Sequence, residues 1–222
     1  MATKAERKSL STEVDIVLES LTLKGDLTIP AGAKGIVLFA HGSGSSRHSP
    51  RNIFVAETIQ NRGVATLLFD LLSEEEEEID IQTLHLRFDI DLLAKRLVAA
   101  TQWLRDQPET KEMRIGYFGS STGGGAALVA AAELGASVGA VVSRGGRPDL
   151  AGNALPEVKS PVLLIVGGYD TVVIRLNEEA AAQMRCETEL KIIPNATHLF
   201  EEPGALEDVA RIAAIWFKEK IG

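Results

Sequence analysis

Met113-Arg-Ile-Gly-Tyr-Phe-Gly-Ser-Ser-Thr-Gly-Gly-Gly-Ala-Ala-Leu-Val-Ala-Ala-Ala-Glu-Leu134 passes from an apolar run suited to a buried strand into a small-residue helix. The passage between them, Gly119-Ser120-Ser121-Thr122-Gly123, matches G-x-S-x-G. A serine presented on such a turn needs small neighbours, because strand and helix approach closely on either side of it. Gly119, Gly123, Gly124 and Gly125 meet that need. The helix that follows aims its first N–H groups at the serine, where negative charge on a substrate oxygen would be stabilised.

Outward from this turn, short apolar runs alternate with helical segments. The strands expected are Gly35–Ala40, Val64–Phe69, Met113–Phe118, Val138–Ser143, Pro161–Val166 and Glu189–Ile193. Helical spacing is clearest in Leu86, Ile90, Leu93, Leu97, Ala100 and Leu104, which share one face, and recurs in Leu206, Val209, Ala213 and Trp216. Shorter helices fit Asn52–Asn61, Gly123–Leu134 and Asn177–Met184. Strands regularly separated by helices give an α/β architecture, a parallel sheet covered on both faces. Two β-rich stretches ahead of them, Val14–Leu18 and Leu21–Ile29, are spaced to pair antiparallel. The expected organisation is a flexible tail over 1–12 and one domain over 13–222. The five carboxylates Glu74 to Glu78 are expected in a solvated loop leading into the long helix.

A serine hydroxyl is a weak nucleophile until a base takes its proton. Of four histidines, His48 falls in a polar loop and His85 opens the long helix. His41 and His198 follow strands, and sites in open parallel sheets collect beyond the strands' carboxyl ends. His198, after the last strand, is the expected base; His41 is read mainly as a loop organiser, with substrate contact as an alternative. Asp170, beyond the Pro161–Val166 strand, is the carboxylate expected to fix the tautomer of His198, with Asp149 as the competing acid. Glu201 and Glu202 lie so near His198 in sequence that they read as surface or helix-entry charges. Oxyanion donors are expected from the backbone N–H groups of Thr122 and of Ser43, the latter in Phe39-Ala-His-Gly-Ser-Gly-Ser-Ser46. Arg144 and Arg147, beyond a strand, are candidates for recognising a substrate carboxylate.

Taken together, His41-Gly-Ser-Gly-Ser-Ser-Arg-His-Ser-Pro-Arg-Asn52, Phe69-Asp-Leu-Leu72, Gly119–Gly123, Ser143-Arg-Gly-Gly-Arg-Pro-Asp149, Gly167-Gly-Tyr-Asp170 and Ala196-Thr-His-Leu-Phe-Glu-Glu-Pro-Gly204 resemble the dienelactone hydrolase-like α/β-hydrolases. The resemblance covers nearly the whole chain. It implies an α/β-hydrolase fold, mostly parallel with an antiparallel N-terminal strand region and helices on both faces. It also implies cofactor-free hydrolysis of esters or related acyl compounds, with Ser121, Asp170 and His198 as nucleophile, acid and base. Dienelactone hydrolases proper carry a cysteine where this chain has Ser121, which argues against dienelactone as substrate. Some similar proteins are fused to phosphoribosyltransferase domains, but nothing in these 222 residues resembles that partner.

Composition narrows the rest. A net charge of -8, from 31 acidic against 23 basic residues, repels nucleic acid and anionic lipid. No apolar stretch reads as an export signal or a membrane span. Cys186 is the single cysteine, and no Cys/His cluster has metal spacing, so no disulfide, metal or cofactor is expected and a cytoplasmic setting is. The expected partner is a small ester-like substrate, with the chain a monomer or small homo-oligomer. Acyl transfer and thioester or perhydrolase chemistry share the same site. A nucleotide-binding module is the rival from another class, since Gly42-Ser-Gly-Ser-Ser46 and Asp70 imitate a dinucleotide fold; Arg47 stands where the third glycine belongs.

Overall fold

The computed structural model describes residues 9–18 and 20–222. Eight strands form one sheet: β1 (Leu10–Val17), β2 (Thr22–Ile29), β3 (Gly35–Ala40), β4 (Ala65–Phe69), β5 (Arg114–Ser120), β6 (Val138–Arg144), β7 (Val162–Gly167) and β8 (Thr188–Ile193). Their spatial order is β1-β2-β4-β3-β5-β6-β7-β8. The pairs β1–β2 and β2–β4 are antiparallel, and every pair from β4 to β8 is parallel. Among the described residues six α-helices accompany them, the last following β8: α1 (Pro50–Gln60), α2 (Glu74–Thr83), α3 (Ile90–Asp106), α4 (Thr122–Leu134), α5 (Thr171–Ala181) and α6 (Ala205–Ile221).

The central strands are apolar on both faces because helices cover both. On β3, Ile36, Leu38 and Ala40 enter a core shared with α3 and α4, while Val37 and Phe39 enter a second core shared with α1 and α6. That alternation is the period of two that a strand imposes. The face of α3 carries Leu93, Leu97, Ala100 and Leu104 into the first core. Each such leucine contributes about 1.5–3 kcal/mol on burial.

Four expectations need correction. Glu74–Glu78 is not a loop: it opens α2, whose N-cap Ser73 accepts from the Glu76 N–H while Glu76 Oε2 accepts from the Ser73 N–H. Four glutamates in a first turn also lie at the positive end of the helix, where carboxylates are stabilised. The long helix does not run from Leu86. A 3-10 turn at Leu86–Phe88 comes first, and Asp89 then caps α3 by accepting from the Leu92 N–H at 2.9 Å. The helix expected over Asn177–Met184 begins at Thr171, immediately after Asp170. Finally, β1 starts at Leu10, within the stretch expected as a tail; residues 1–8 lie outside the described residues.

Candidate active site

The carboxyl ends of the parallel strands bring the candidate residues to one rim of the sheet. Ser121 sits between β5 and α4 with φ 51° and ψ −120°, a conformation that costs an L-residue about 1–3 kcal/mol and persists only where neighbours enforce it. Those neighbours are identifiable. The Ser121 N–H donates to the Arg144 carbonyl at 3.2 Å, and its own carbonyl accepts from the Gly124 and Arg147 N–H groups, each at 3.0 Å. The flanking glycines are sterically required: a Cβ on Gly119 would stand 2.4 Å from the Gly123 oxygen, and one on Gly123 would stand 2.2 Å from the Ala40 oxygen.

His198 and Asp170 reach the same rim from two other loops. His198 Nδ1 is 2.6 Å from Asp170 Oδ2, so the imidazole donates there and leaves Nε2 unengaged by the carboxylate. Asp170 is the N-cap of α5, yet its side chain makes no capping bond and turns to the histidine instead. Gly145, with φ 51°, lies against the ring: a Cβ there would be 3.4 Å from His198 Cε1. Ser121 and His198 thus flank adjoining residues, Arg144 and Gly145. The Ser121 hydroxyl is not hydrogen-bonded to His198 in this structure, and such bonds commonly tighten only when substrate is bound.

The loop after β3 packs against the serine, since a Cβ on Gly42 would stand 3.2 Å from Ser121 Cβ. Within it, the Ser43 N–H donates to Thr122 Oγ1 at 3.0 Å, so this expected oxyanion donor already has a partner. The Thr122 N–H belongs to the first turn of α4, where backbone donors lack intrahelical acceptors. His41 organises the loop: the Leu71 N–H donates to Nε2 at 3.1 Å, and Nδ1 lies 3.0 Å from the Gly42 carbonyl. That pair of bonds specifies a neutral ring, and burial lowers its pKa below the ordinary 6.5. Arg47 ties the loop to the sheet through an ion pair with Asp70, whose Oδ1 also accepts the Arg47 N–H at 2.8 Å. The acid that imitated a dinucleotide ligand is therefore engaged by the residue that replaced the third glycine.

The remaining candidates separate. Arg147 directs both Nε and Nη2 to Asp149, at 2.8 and 2.7 Å, so the competing acid is turned to an arginine and away from the histidine. Glu202 accepts from the Thr197 N–H at 3.0 Å and Glu201 pairs with Arg51 at 3.3 Å, both bracing the His198 loop. Arg144 is only 7% exposed; its guanidinium lies against Asn52 of α1 and Phe200 instead of facing solvent. Asn52, Ser120, Gly145 and Phe200 were not foreseen, and only Gly145 left a local trace, as a glycine directly beyond a strand.

A cleft of about 390 Å³ adjoins the oxyanion loop, lined in part by His41, Ser45, Asp70, Glu74, Glu77 and Ile81. Neither Ser121 nor His198 lines it. Among the described residues, no cluster of three or more His, Cys, Asp or Glu side chains has an arrangement fit for a metal ion. No described helix is long and apolar enough to cross a membrane.

The model of the dienelactone hydrolase family matches residues 23–218. A dienelactone hydrolase from Anabaena variabilis is 61% identical, with a TM-score of 0.95 over 97% of this chain and 100% of that one. An esterase from Pyrococcus furiosus shares the fold at 20% identity, with a TM-score of 0.76 over 96% of this chain and 94% of its own. Proteins of two Mycobacterium tuberculosis strains, provisionally named phosphoribosyl transferases, are 56% identical over 205 residues. The match takes in 92% of this chain but 45% of theirs, so the chain spans about half the length of these relatives.

Proposed function

This chain belongs to the dienelactone hydrolase family, and from that premise we propose that it is a serine hydrolase cleaving small carboxylic esters or lactones through an acyl-enzyme. The observation that carries the proposal is the strained Ser121 turn beside a His198–Asp170 pair held at 2.6 Å. The turn is costly for an L-residue, and the imidazole keeps one ring nitrogen free of the carboxylate.

In the proposed reaction Ser121 Oγ attacks the substrate carbonyl while His198 Nε2 takes its proton. Asp170 holds the Nδ1–H and favours the imidazolium that forms. The Thr122 N–H meets the developing oxyanion, and the Ser43 N–H joins it by exchanging the Thr122 hydroxyl for the substrate oxygen. Donation of the His198 proton to the leaving group completes acylation. Water, activated by the same histidine, then releases the acid and restores Ser121. Thioesters as acyl donors, and acceptors other than water in the second step, enter the same cycle without any change of residue.

A fluorophosphonate probe tests the nucleophile. Ser121 should be the labelled residue, and Ser121→Ala should lose labelling together with roughly 10⁴-fold or more of p-nitrophenyl acetate turnover, as in comparable triads. Labelling at another serine, or turnover that survives the substitution, ends the reading. A panel of acyl chains, lactones and thioesters with Ser121→Ala as control then ranks the substrate classes.

A further inference from the structure

Arg144 is a buried cation to which the mechanism above gives no task. It stands at the end of β6, in register with Ser120 of β5. Its carbonyl holds the Ser121 N–H, and its Nη2 donates to Asn52 Oδ1 at 3.4 Å. That same oxygen accepts the Ser120 hydroxyl at 3.1 Å. On its other side the guanidinium lies 5.9 Å from the centroid of the Phe200 ring. Phe200 is two residues beyond His198, 1% exposed, and held at φ 57°.

The electrostatics of this residue are unusual. Burial lowers the Arg144 pKa to about 10, so the group remains charged at neutral pH, and the charge that acts on it is another cation, Arg51 of α1. Arg51 is itself paired with Glu201. Nε and Nη1 of Arg144 are covered and have no hydrogen-bond partner among the described residues. A buried charge without a counter-charge costs stability, and an apolar side chain of similar volume commonly fits such a position better. Packing alone therefore does not account for an arginine here. What an arginine supplies, and a methionine does not, is a flat cation that reaches an amide oxygen and an aromatic face together.

We propose that Arg144 is a positioning residue for the hydrolysis, locking the turn that carries Ser121 to the loop that carries His198 through Asn52 on one side and Phe200 on the other. The inference rests on the hydrolase reading of the site. Arg144 contacts no reacting atom. It acts by holding nucleophile and base, which come from distant parts of the chain, in one relative placement. Because misplacement by about an ångström can cost about a hundredfold in rate, the lock should register in kcat more than in KM.

The test combines Arg144→Met, Arg144→Lys, Phe200→Leu and the double variant Arg144→Met/Phe200→Leu, each assayed for kcat, KM, thermal midpoint and rate of fluorophosphonate labelling. Arg144→Met should lose about tenfold or more in kcat and in labelling rate while KM stays within about threefold. Its thermal midpoint should equal or exceed that of the parent, because a buried unpaired charge has been removed. Arg144→Lys, which keeps the cation but reaches only one of the two contacts, should fall between parent and Met variant in kcat and below both in thermal midpoint. The double variant should be no slower than the slower single one, since both residues serve one lock. An Arg144→Met enzyme within about twofold of parent kcat overturns the inference, as do independently multiplying losses or a kcat that follows the thermal midpoint across the series. The parent keeps the two readings apart. A parent that is neither labelled nor active removes the hydrolase reading and this inference with it; a labelled, active parent with unaffected variants removes the inference alone.

Discussion

Asp80 on the buried side of α2 and Asp170 at the sheet rim both hold a nitrogen-bearing side chain, and they hold it differently. Asp80 is fully covered and saturated: its Oδ1 accepts the Leu86 and Arg87 N–H groups at 2.7 and 3.2 Å, and its Oδ2 pairs with Arg87 Nε. Asp170 grips one nitrogen of a ring whose side chain is 39% exposed, and the ring's second nitrogen is left for other use. A pair that consumes every donor and acceptor fastens the chain. A pair that leaves one atom unspent can take part in a proton transfer.

Substituting each acid tests that contrast. Asp170→Asn should leave the thermal midpoint near that of the parent while p-nitrophenyl acetate turnover falls by about 10⁴, because an amide no longer selects the imidazole tautomer or favours its protonated form. Turnover within about tenfold of the parent would break the comparison on its catalytic side. Asp80→Asn should do the reverse. It weakens hydrogen bonds to a charged group and should cost about 1.5–3 kcal/mol in denaturant unfolding, with kcat of the folded enzyme unchanged. A kcat loss larger than the stability loss would show that α2 is coupled to the chemistry and not merely fastened beside it.

A smaller effect sharpens the contrast through pH. Burial alone would raise the Asp80 pKa, but the bonds from Arg87 and from the Leu86 N–H more than offset it, so the folded value lies below the ordinary 3.8. A depressed carboxylate contributes stability that is present above its unfolded pKa and is lost as pH falls through the folded one. His41 is depressed as well, in its case by burial of a neutral ring. The unfolded chain therefore takes up that proton first, and stability declines once pH drops below about 6.5. Thermal midpoints should fall in two steps on acidification. His41→Gln should flatten the first step, and Asp80→Asn the second. A first step that survives in His41→Gln would assign it to another group.

How far the sequence reaches is clearest in these same regions. The rim was legible because its signals are local. Short apolar runs end in glycines around Ser121, and Asp170 and His198 each follow a strand in an order compatible with one site. The α2 region was not, because five successive glutamates read as a solvated loop when taken by charge alone. Ser73 and Glu76, three residues apart, carry the capping signal, but the cations that pair with Glu76 and Glu77, Arg96 of α3 and Arg87, come from farther along the chain. The start of α5 is hidden for a related reason: its N-cap Asp170 makes no side-chain capping bond, because its carboxylate is turned to His198. Arg144 had no readable signal for its actual surroundings. Its amide partner Asn52 is 92 residues away, and Ser120 lies 68 residues from the same amide. No periodicity encodes a contact of that separation.

The sheet is open, and its two outermost strands have one neighbour each. Such borders invite another chain to continue the ladder, and charged side chains are a common deterrent. Here Glu13 and Asp15 lie on β1, and Glu189 and Lys191, paired at 3.0 Å, lie on β8. A second molecule adding a strand at either border would have to bring its own backbone up to these charges. The architecture that gathers the chemistry at the strand tips thus guards its flanks against fibrous growth.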